Sequence, residues 1–465
     1  MKMKQTKASV ERAAVCAALV SYEKNGSSAN TTALQKKMLD EHPEMDERQR
    51  AFAVRLFRGC VERRSQLDAV AAPYIQRKPA KHRILIGCIL RMGIYQICFM
   101  DSVPDSAACN ECVELARESG APESTGFINA VLRNIIRNRP EVLPDELETM
   151  PEWIRKMWEA EYGKERTEAI IRALLAPRPL TVRISPLLSD TEQEQLIRTF
   201  GGRGITVRKA AWLDGVYYLE HTGDIRRLPG FREGSFTVQD EASMMPVIAA
   251  APGPSDTVMD ICAAPGGKTI QAAQLLLKMN RDDPARCAEH VRAFDISPKK
   301  TALIRENAVR NKVADVIRIG IRDALKDDFE QNEDPEVKMC DVLICDLPCS
   351  GLGVAGRKPD IKYRVTMEDI RQLAGMQRKM LAAGIPYLKK GGTLIYSTCT
   401  ISRQENEENA RYISEELGLV PDPLTPYLPG GLFTEEELEA GTNSIQLMPD
   451  TNHTDGFFIA RFRKP

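Results

Sequence analysis

Four short segments in the C-terminal half of this 465-residue chain each end an apolar run in polar or reactive groups. TVMDI passes Asp260 and continues into Cys262-Ala-Ala-Pro-Gly-Gly-Lys268. VRAFD closes on Asp295. VLICD closes on Asp346 and leads into Leu347, Pro348 and Cys349. GTLIYST closes on Tyr396, Ser397 and Thr398 and leads into Cys399. A cysteine inside a strand usually packs, whereas one beside an acid in a loop suggests covalent chemistry. A thiol with a pKa of about 8.5 has some thiolate without help, and a nearby positive charge gives more.

The turn AAPGGKT invites a phosphate-loop reading. That motif needs a glycine five positions before its second glycine, and Cys262 stands there. The G-x-G-x-x-G of dinucleotide sites is missing too. Gly266 and Gly267 instead let the backbone approach a ligand closely. Asp295, at the next strand end, is placed to accept two ribose hydroxyls. It lies 28 residues after Gly267, beyond the usual ~20, and the polar stretch NRDDPARCAEH accounts for the excess. A cofactor with ribose and no diphosphate fits, which is S-adenosylmethionine.

A thiol beside a methyl donor has a specific use. Carbon 5 of a pyrimidine is too weak a nucleophile to take a methyl group. A thiolate added to carbon 6 makes the ring an enamine and carbon 5 reactive. An acid near N3 favours the addition, and Asp346 sits where that is possible.

The elements that must hold these groups follow from periodicity. After Phe236, strand-like and helix-like runs alternate: TVMDIC then TIQAAQLLLKM, VRAFDIS then PKKTALIRENAVRN, CDVLICD then MEDIRQLAGMQRKMLAAG, GTLIYSTC then RQENEENARYISEELG, with GFFIARF as a last strand. Such alternation predicts a doubly wound α/β sheet with parallel strands, whose ligands bind at the strands' carboxyl ends. Residues 1 to about 140 read as all-helical, including one long apolar-periodic run from Arg48 to Ile75. The apolar stretch 83–100 carries Arg83, Arg91 and Gln96, so it reads as a buried helix and not a membrane span. Residues of about 145–235 read as a small α+β unit, with a helix over DTEQEQLIRTF capped by Asp190-Thr191.

Net charge is −1, with 22 Lys and Arg against 15 Asp and Glu in residues 1–140 and 42 against 50 in the rest. A basic helical module suggests a polyanion partner; a solvated surface is the alternative. Twelve thinly spread cysteines are no disulfide framework, and no signal peptide is visible, so a cytoplasmic setting is expected. Cys109 and Cys112 form a lone C-x-x-C at helical spacing, which reads as core; no metal site is expected. Cys262, Cys340 and Cys345 read as strand packing. The five histidines lie outside every motif, which leaves the base for the carbon-5 proton unassigned. Arg357 and Lys358, just after the Cys349 loop, are candidates to meet polyanion phosphate, with a solvated loop as the alternative.

The segments FTVQDEASM, DICAAPGGKT, FDISPKK, DLPCSGLGVAGRKPDIK, YSTCTISRQENEEN and DGFF occur in order along the C-terminal half. In them the chain resembles the NOL/NOP/Sun family of RNA cytosine carbon-5 methyltransferases. ERAAVCAAL and FINAVLRNIIR resemble a NusB-type RNA-binding domain, an arrangement found in the Sun-type enzymes of bacterial small-subunit ribosomal RNA. The resemblance implies a multidomain protein: an all-α NusB-like domain over 1–142, a small α+β linker domain over 143–235, and an α/β Rossmann-like S-adenosylmethionine-dependent methyltransferase domain over 236–465. It implies Cys399 as the nucleophile and Cys349 as the group assisting release, and Asp346 joins them as the catalytic acid near N3. Cys262, Ala263, Ala264, Pro265, Gly266, Gly267, Lys268, Asp295, Asp323 and Asp346 would contact the cofactor. Thr400 stands where that family commonly has serine.

The expected partner is RNA, ribosomal RNA first and tRNA as the alternative, with a monomer acting away from membranes. Two other functions compete. A non-catalytic RNA-binding assembly factor would not need both cysteines. An amino-group methyltransferase favours Asp/Asn-Pro-Pro-aromatic where this chain has Asp-Leu-Pro-Cys.

Overall fold

The computed structural model describes residues 8–26, 30–75, 81–139, 143, 145–326 and 339–465. The acidic segment 327–336 and the prolines at 140 and 144 lie outside them. The chain forms two compact units: residues 1–172 with 355–365, and residues 173–354 with 366–465.

The first unit is helical, as its periodicity predicts. Helix Glu47–Glu62 opens on a capping box: Asp46 accepts from the Gln49 N–H, and the Gln49 side chain accepts from the Asp46 N–H. It buries Ala53, Leu56, Phe57, Cys60 and Val61. Helix Arg83–Phe99 is interior on most of its surface. Its Arg91 binds Asp68 through two nitrogens and Glu23 through one, so the charge inside the apolar stretch is paired. At Gly93 a Cβ would come within 2.8 Å of the Leu132 side chain on helix Thr125–Arg137, so a larger residue there would have to displace it. Cys109 and Cys112 are buried core, as their spacing predicts. Among the described residues no helix is long and apolar enough to cross a membrane.

The helically spaced run from Arg48 to Ile75 meets its expected breaker at Pro73, in a 3-10 turn, and has a further break that periodicity does not show. It breaks at Arg63 (φ −100°, ψ 18°) into Glu47–Glu62, Arg64–Ala71 and a 3-10 turn, Ala72–Tyr74. Arg63 stacks its guanidinium 4.6 Å from the Phe99 ring centre and bonds Gln66, a tertiary contact that periodicity does not encode. Residues Ala355–Val365 also belong to this unit. Thr31 donates to Asp360 at 2.6 Å, Tyr363 donates to the Glu62 and Thr149 carbonyls, and Arg58 donates to the Arg357 carbonyl. Burial pushes Lys362 down to about 8.

In the second unit, β1 (Leu180–Ile184), β2 (Thr206–Lys209), β3 (Val216–Glu220) and β4 (Phe236–Val238) form an antiparallel sheet in the order β2-β3-β1-β4. Helix Asp190–Gly202 supplies Leu196 and Phe200 to the core under it. Its cap is Ser189, not the expected Asp190-Thr191. Ser189 Oγ accepts from the Glu192 N–H and Glu192 returns to the Ser189 N–H, a Ser-x-x-Glu capping box one residue earlier.

The large sheet contains β5 (Val258–Asp260), β6 (Val291–Asp295), β7 (Ile317–Ile321), β8 (Cys340–Asp346), β9 (Leu388–Thr398), β10 (Val420–Pro421), β11 (Ser444–Leu447) and β12 (Phe457–Arg463). Its order is β10-β12-β9-β8-β5-β6-β7, with β11 on β12. β5 to β9 are parallel, as alternation with helices predicts. The parallel expectation fails beyond them: β12 runs antiparallel to β9, β10 and β11. β11 reaches β12 through a short loop, with no crossover helix to force parallel pairing.

Arg461 on β12 is 1% exposed. It donates to Asp422 at 2.7 Å, to the Ala249 and Ala250 carbonyls and to the Tyr427 hydroxyl. Arg461→Met orphans these buried acceptors while Asp422 keeps Arg463. Stability should fall by about 3 kcal/mol in urea unfolding with an unchanged m-value.

Candidate active site

The sheet order places the carboxyl ends of β6, β5, β8 and β9 side by side. They carry the four polar clusters that the sequence isolates. Strand order reverses around β5, which has β6 on one flank and β8 on the other, and such a switch point opens a crevice.

The loop 262–268 leaves β5 into that crevice. The Ala263 N–H donates to the Phe294 carbonyl at 3.0 Å and the Ala264 N–H to Asp295 at 2.9 Å. Gly266 turns with φ 107°, where a side chain would be strained, and opens helix Gly267–Met279 without a side-chain cap. The first N–H groups of that helix suit an anionic acceptor. Asp295 also accepts from the Ile296 N–H at 2.8 Å and pairs with Lys300 at 2.9 Å. It does not cap helix Pro298–Arg310, since Ser297 does. The next residue, Ile296, is 56% exposed, apolar surface that a flat ring would cover. Asp323, just past β7, accepts from the Leu325 N–H at 3.1 Å. An acid for ribose, an exposed apolar face for adenine and an uncapped helix start for a carboxylate together fit S-adenosylmethionine. Sequence reasoning did not single out Ile296.

Asp260 faces inward. It accepts from the Thr269 hydroxyl at 2.8 Å, and burial pushes its carboxyl up to about 7. The folded-state value lies above the unfolded one. The stabilisation is therefore complete below about pH 4 and is lost as pH rises towards 7. Asp260→Asn should remove this slope. The stability of wild type relative to the variant is expected to fall, by on the order of 4 kcal/mol, between pH 4 and 8, as read by denaturant titration.

Asp346 accepts from Lys268 Nζ at 2.6 Å and from the Ser397 hydroxyl at 3.0 Å. Lys268 is nearly buried, also donates to Ser243 at 3.2 Å, and lies 5.0 Å from the Phe457 ring centre. The lysine thus ties the cofactor loop to the β8 acid, a link that the sequence does not reveal. Cys349 Sγ and Cys399 Sγ are 3.3 Å apart at the ends of these neighbouring strands. Both are partly exposed. Contact with Cys399, then burial, pushes the Cys349 thiol well up, so it stays protonated. Cys340 and Cys345 are buried packing, and burial also raises Cys262.

Three family models match the chain: NusB over residues 9–137, the RsmF/B-like ferredoxin-like domain over 150–226, and 16S rRNA methyltransferase RsmB/F over 247–463. The "Probable ribosomal RNA small subunit methyltransferase B" of Bacillus subtilis (strain 168) is 33% identical over 461 residues, covering 96% of this chain and 97% of that protein. A Synechocystis protein of the same description is 29% identical, covering 92% and 94%. Among solved structures, PH0851 matches 99% of this chain and 100% of its own with a TM-score of 0.76 at 22% identity. A methyltransferase homolog from Pyrococcus horikoshii matches 69% and 98% with a TM-score of 0.54 at 28% identity.

Proposed function

This chain belongs to the RsmB/F family of 16S ribosomal RNA methyltransferases, and we propose that it methylates carbon 5 of a cytosine in that RNA. It is an S-adenosylmethionine-dependent rRNA methyltransferase with a NusB-like domain. The carbon-5 chemistry rests above all on two thiols 3.3 Å apart beside Asp346, in the crevice of a methyltransferase sheet.

The loop 262–268, Asp295 and Asp323 hold the cofactor. When bound, S-adenosylmethionine supplies the methyl group. Cys399 attacks as thiolate and forms an Sγ–C6 bond, and N3 takes a proton that Lys268 Nζ passes on through Asp346. Once carbon 5 carries the methyl group, its proton leaves to water, the electron pair left behind restores the C5=C6 bond and expels Cys399 as thiolate, and N3 returns its proton through Asp346 to Lys268. Cys349, held as a thiol against Cys399, assists that release. The base must be unstacked to reach Cys399. The basic helical part, residues 1–142, supplies phosphate contacts in a monomeric cytoplasmic enzyme. The remaining divisions are 143–235 and 236–465.

Methyl-labelled cofactor with 16S rRNA from cells lacking the enzyme, digested to nucleosides, tests the position. The expected product is 5-methylcytidine. N4-methylcytidine would contradict the mechanism, since amino-group transfer needs no thiol. RNA affinity should fall steeply with salt, by about 10³-fold or more between 50 and 200 mM if six or more phosphates are held.

A further inference from the structure

Beneath the two cysteines lies a buried carboxylate that the mechanism does not use. Glu405 has no solvent exposure. Its Oε1 accepts from the backbone N–H of Ser350 at 2.8 Å and its Oε2 binds the Ser350 hydroxyl at 2.5 Å. Ser350 directly follows Cys349. Its hydroxyl also lies 2.6 Å from the hydroxyl of Thr400, which directly follows Cys399. Thr400 in turn accepts from the Leu352 N–H at 3.3 Å, and the Gly353 N–H donates to the Cys399 carbonyl at 3.2 Å. Gln377, on helix Met367–Gly384, donates to both the Pro348 carbonyl and Glu405. The Tyr396 hydroxyl donates to the Glu405 carbonyl, which fixes the acid's own backbone. One side chain therefore gathers both cysteine-bearing loops through their neighbouring residues.

We propose that Glu405 is a positioning residue that clamps the Cys349 loop to the end of β9 and so sets the spacing of the two thiols for the release step. The proposal rests on the two-cysteine mechanism above. A buried carboxyl held only by neutral donors is costly unless every oxygen is satisfied, and here both are. Burial pushes Glu405 upward, and an amide of the same shape keeps an oxygen to accept from the Ser350 N–H. The clamp works at short range: a displacement near 1 Å can cost about 10²-fold in a positioned reaction.

Two readouts separate the clamp from mere stability. The first needs no RNA. Diamide, a thiol oxidant, takes up the two thiol hydrogens as Cys349 and Cys399 join in a disulfide, and peptide mass mapping follows its rate. Wild type should close quickly. Glu405→Leu, of similar bulk and unable to accept, should close on the order of tenfold or more slowly. Glu405→Gln should recover most of the rate. Equal rates in wild type and folded Glu405→Leu would overturn the proposal, whatever the methylation assay gives. The second readout is the adduct: with cofactor and RNA, Glu405→Leu should accumulate protein–RNA conjugate although Cys349 is present. A purely structural defect would lower conjugate and product together and would overturn it. Ser350→Ala, which removes the hydroxyl and keeps the N–H, should shift both readouts in the same direction, and it decides the matter if Glu405→Leu does not fold. If Cys349→Ala itself traps no RNA, the two-cysteine mechanism fails, and the disulfide rates still judge the clamp.

Discussion

Replacing Cys399 by alanine is expected to abolish methyl transfer, by at least about four orders of magnitude in single-turnover rate. In the proposed mechanism carbon 5 of cytosine becomes nucleophilic only through the Cys399 adduct, because Cys349 is held as a thiol. Asp346 is bonded to Lys268 and Ser397, and neither of those groups is a carbon nucleophile. Binding of RNA should be nearly unchanged, because phosphate contacts dominate affinity. A loss confined to the rate, with RNA affinity kept, marks the thiol as a reacting group. Retained transfer would remove covalent activation from the mechanism. Cys399→Ser is the finer probe. It keeps size and polarity but offers a far less acidic nucleophile, so it should be almost as inactive.

The opposite phenotype is expected of Cys349→Ala. Attack by Cys399 remains possible and release is impaired, so protein and RNA should stay joined. On a denaturing gel, most of the limiting partner is expected in a slow band that requires cofactor. Cys349→Ala/Cys399→Ala should lose that band. Its dependence on pH carries further information. Contact with Cys399 and burial hold the Cys349 thiol well above its ordinary value, so it is protonated at neutral pH. It keeps its proton into mildly alkaline solution, so release in wild type should stay fast there, and the Cys349→Ala conjugate should persist over the same range.

Much of this site was legible because strand ends announce themselves locally. VLICDLPCS and LIYSTCT each pass from apolar to polar within two residues, and a parallel sheet must put those ends on one edge. The last strand, GFFIARF, was legible as β12, but its antiparallel direction was not, since a terminal apolar strand reads the same either way, and β10 and β11 were not identified. The segment Ala355–Val365 follows the Cys349 loop in sequence yet packs with the N-terminal helices. Its Asp360 and Lys362 look like solvated charges and are buried. Glu405 is hidden for the same reason: in RQENEEN it is one acid among several, and only the fold shows which is sealed from water. Burial of a charged residue depends on partners distant in sequence, here Ser350 and Gln377, which no local pattern names. The helix break at Arg63 likewise answers to Phe99.

The most direct measurement is mass spectrometry of the Cys349→Ala conjugate after nuclease and protease digestion. The two-cysteine mechanism predicts one peptide containing Cys399 that carries a single cytidine nucleotide heavier by one methyl group. A nucleotide attached at any other residue, or a conjugate that forms equally well without Cys399, would contradict it.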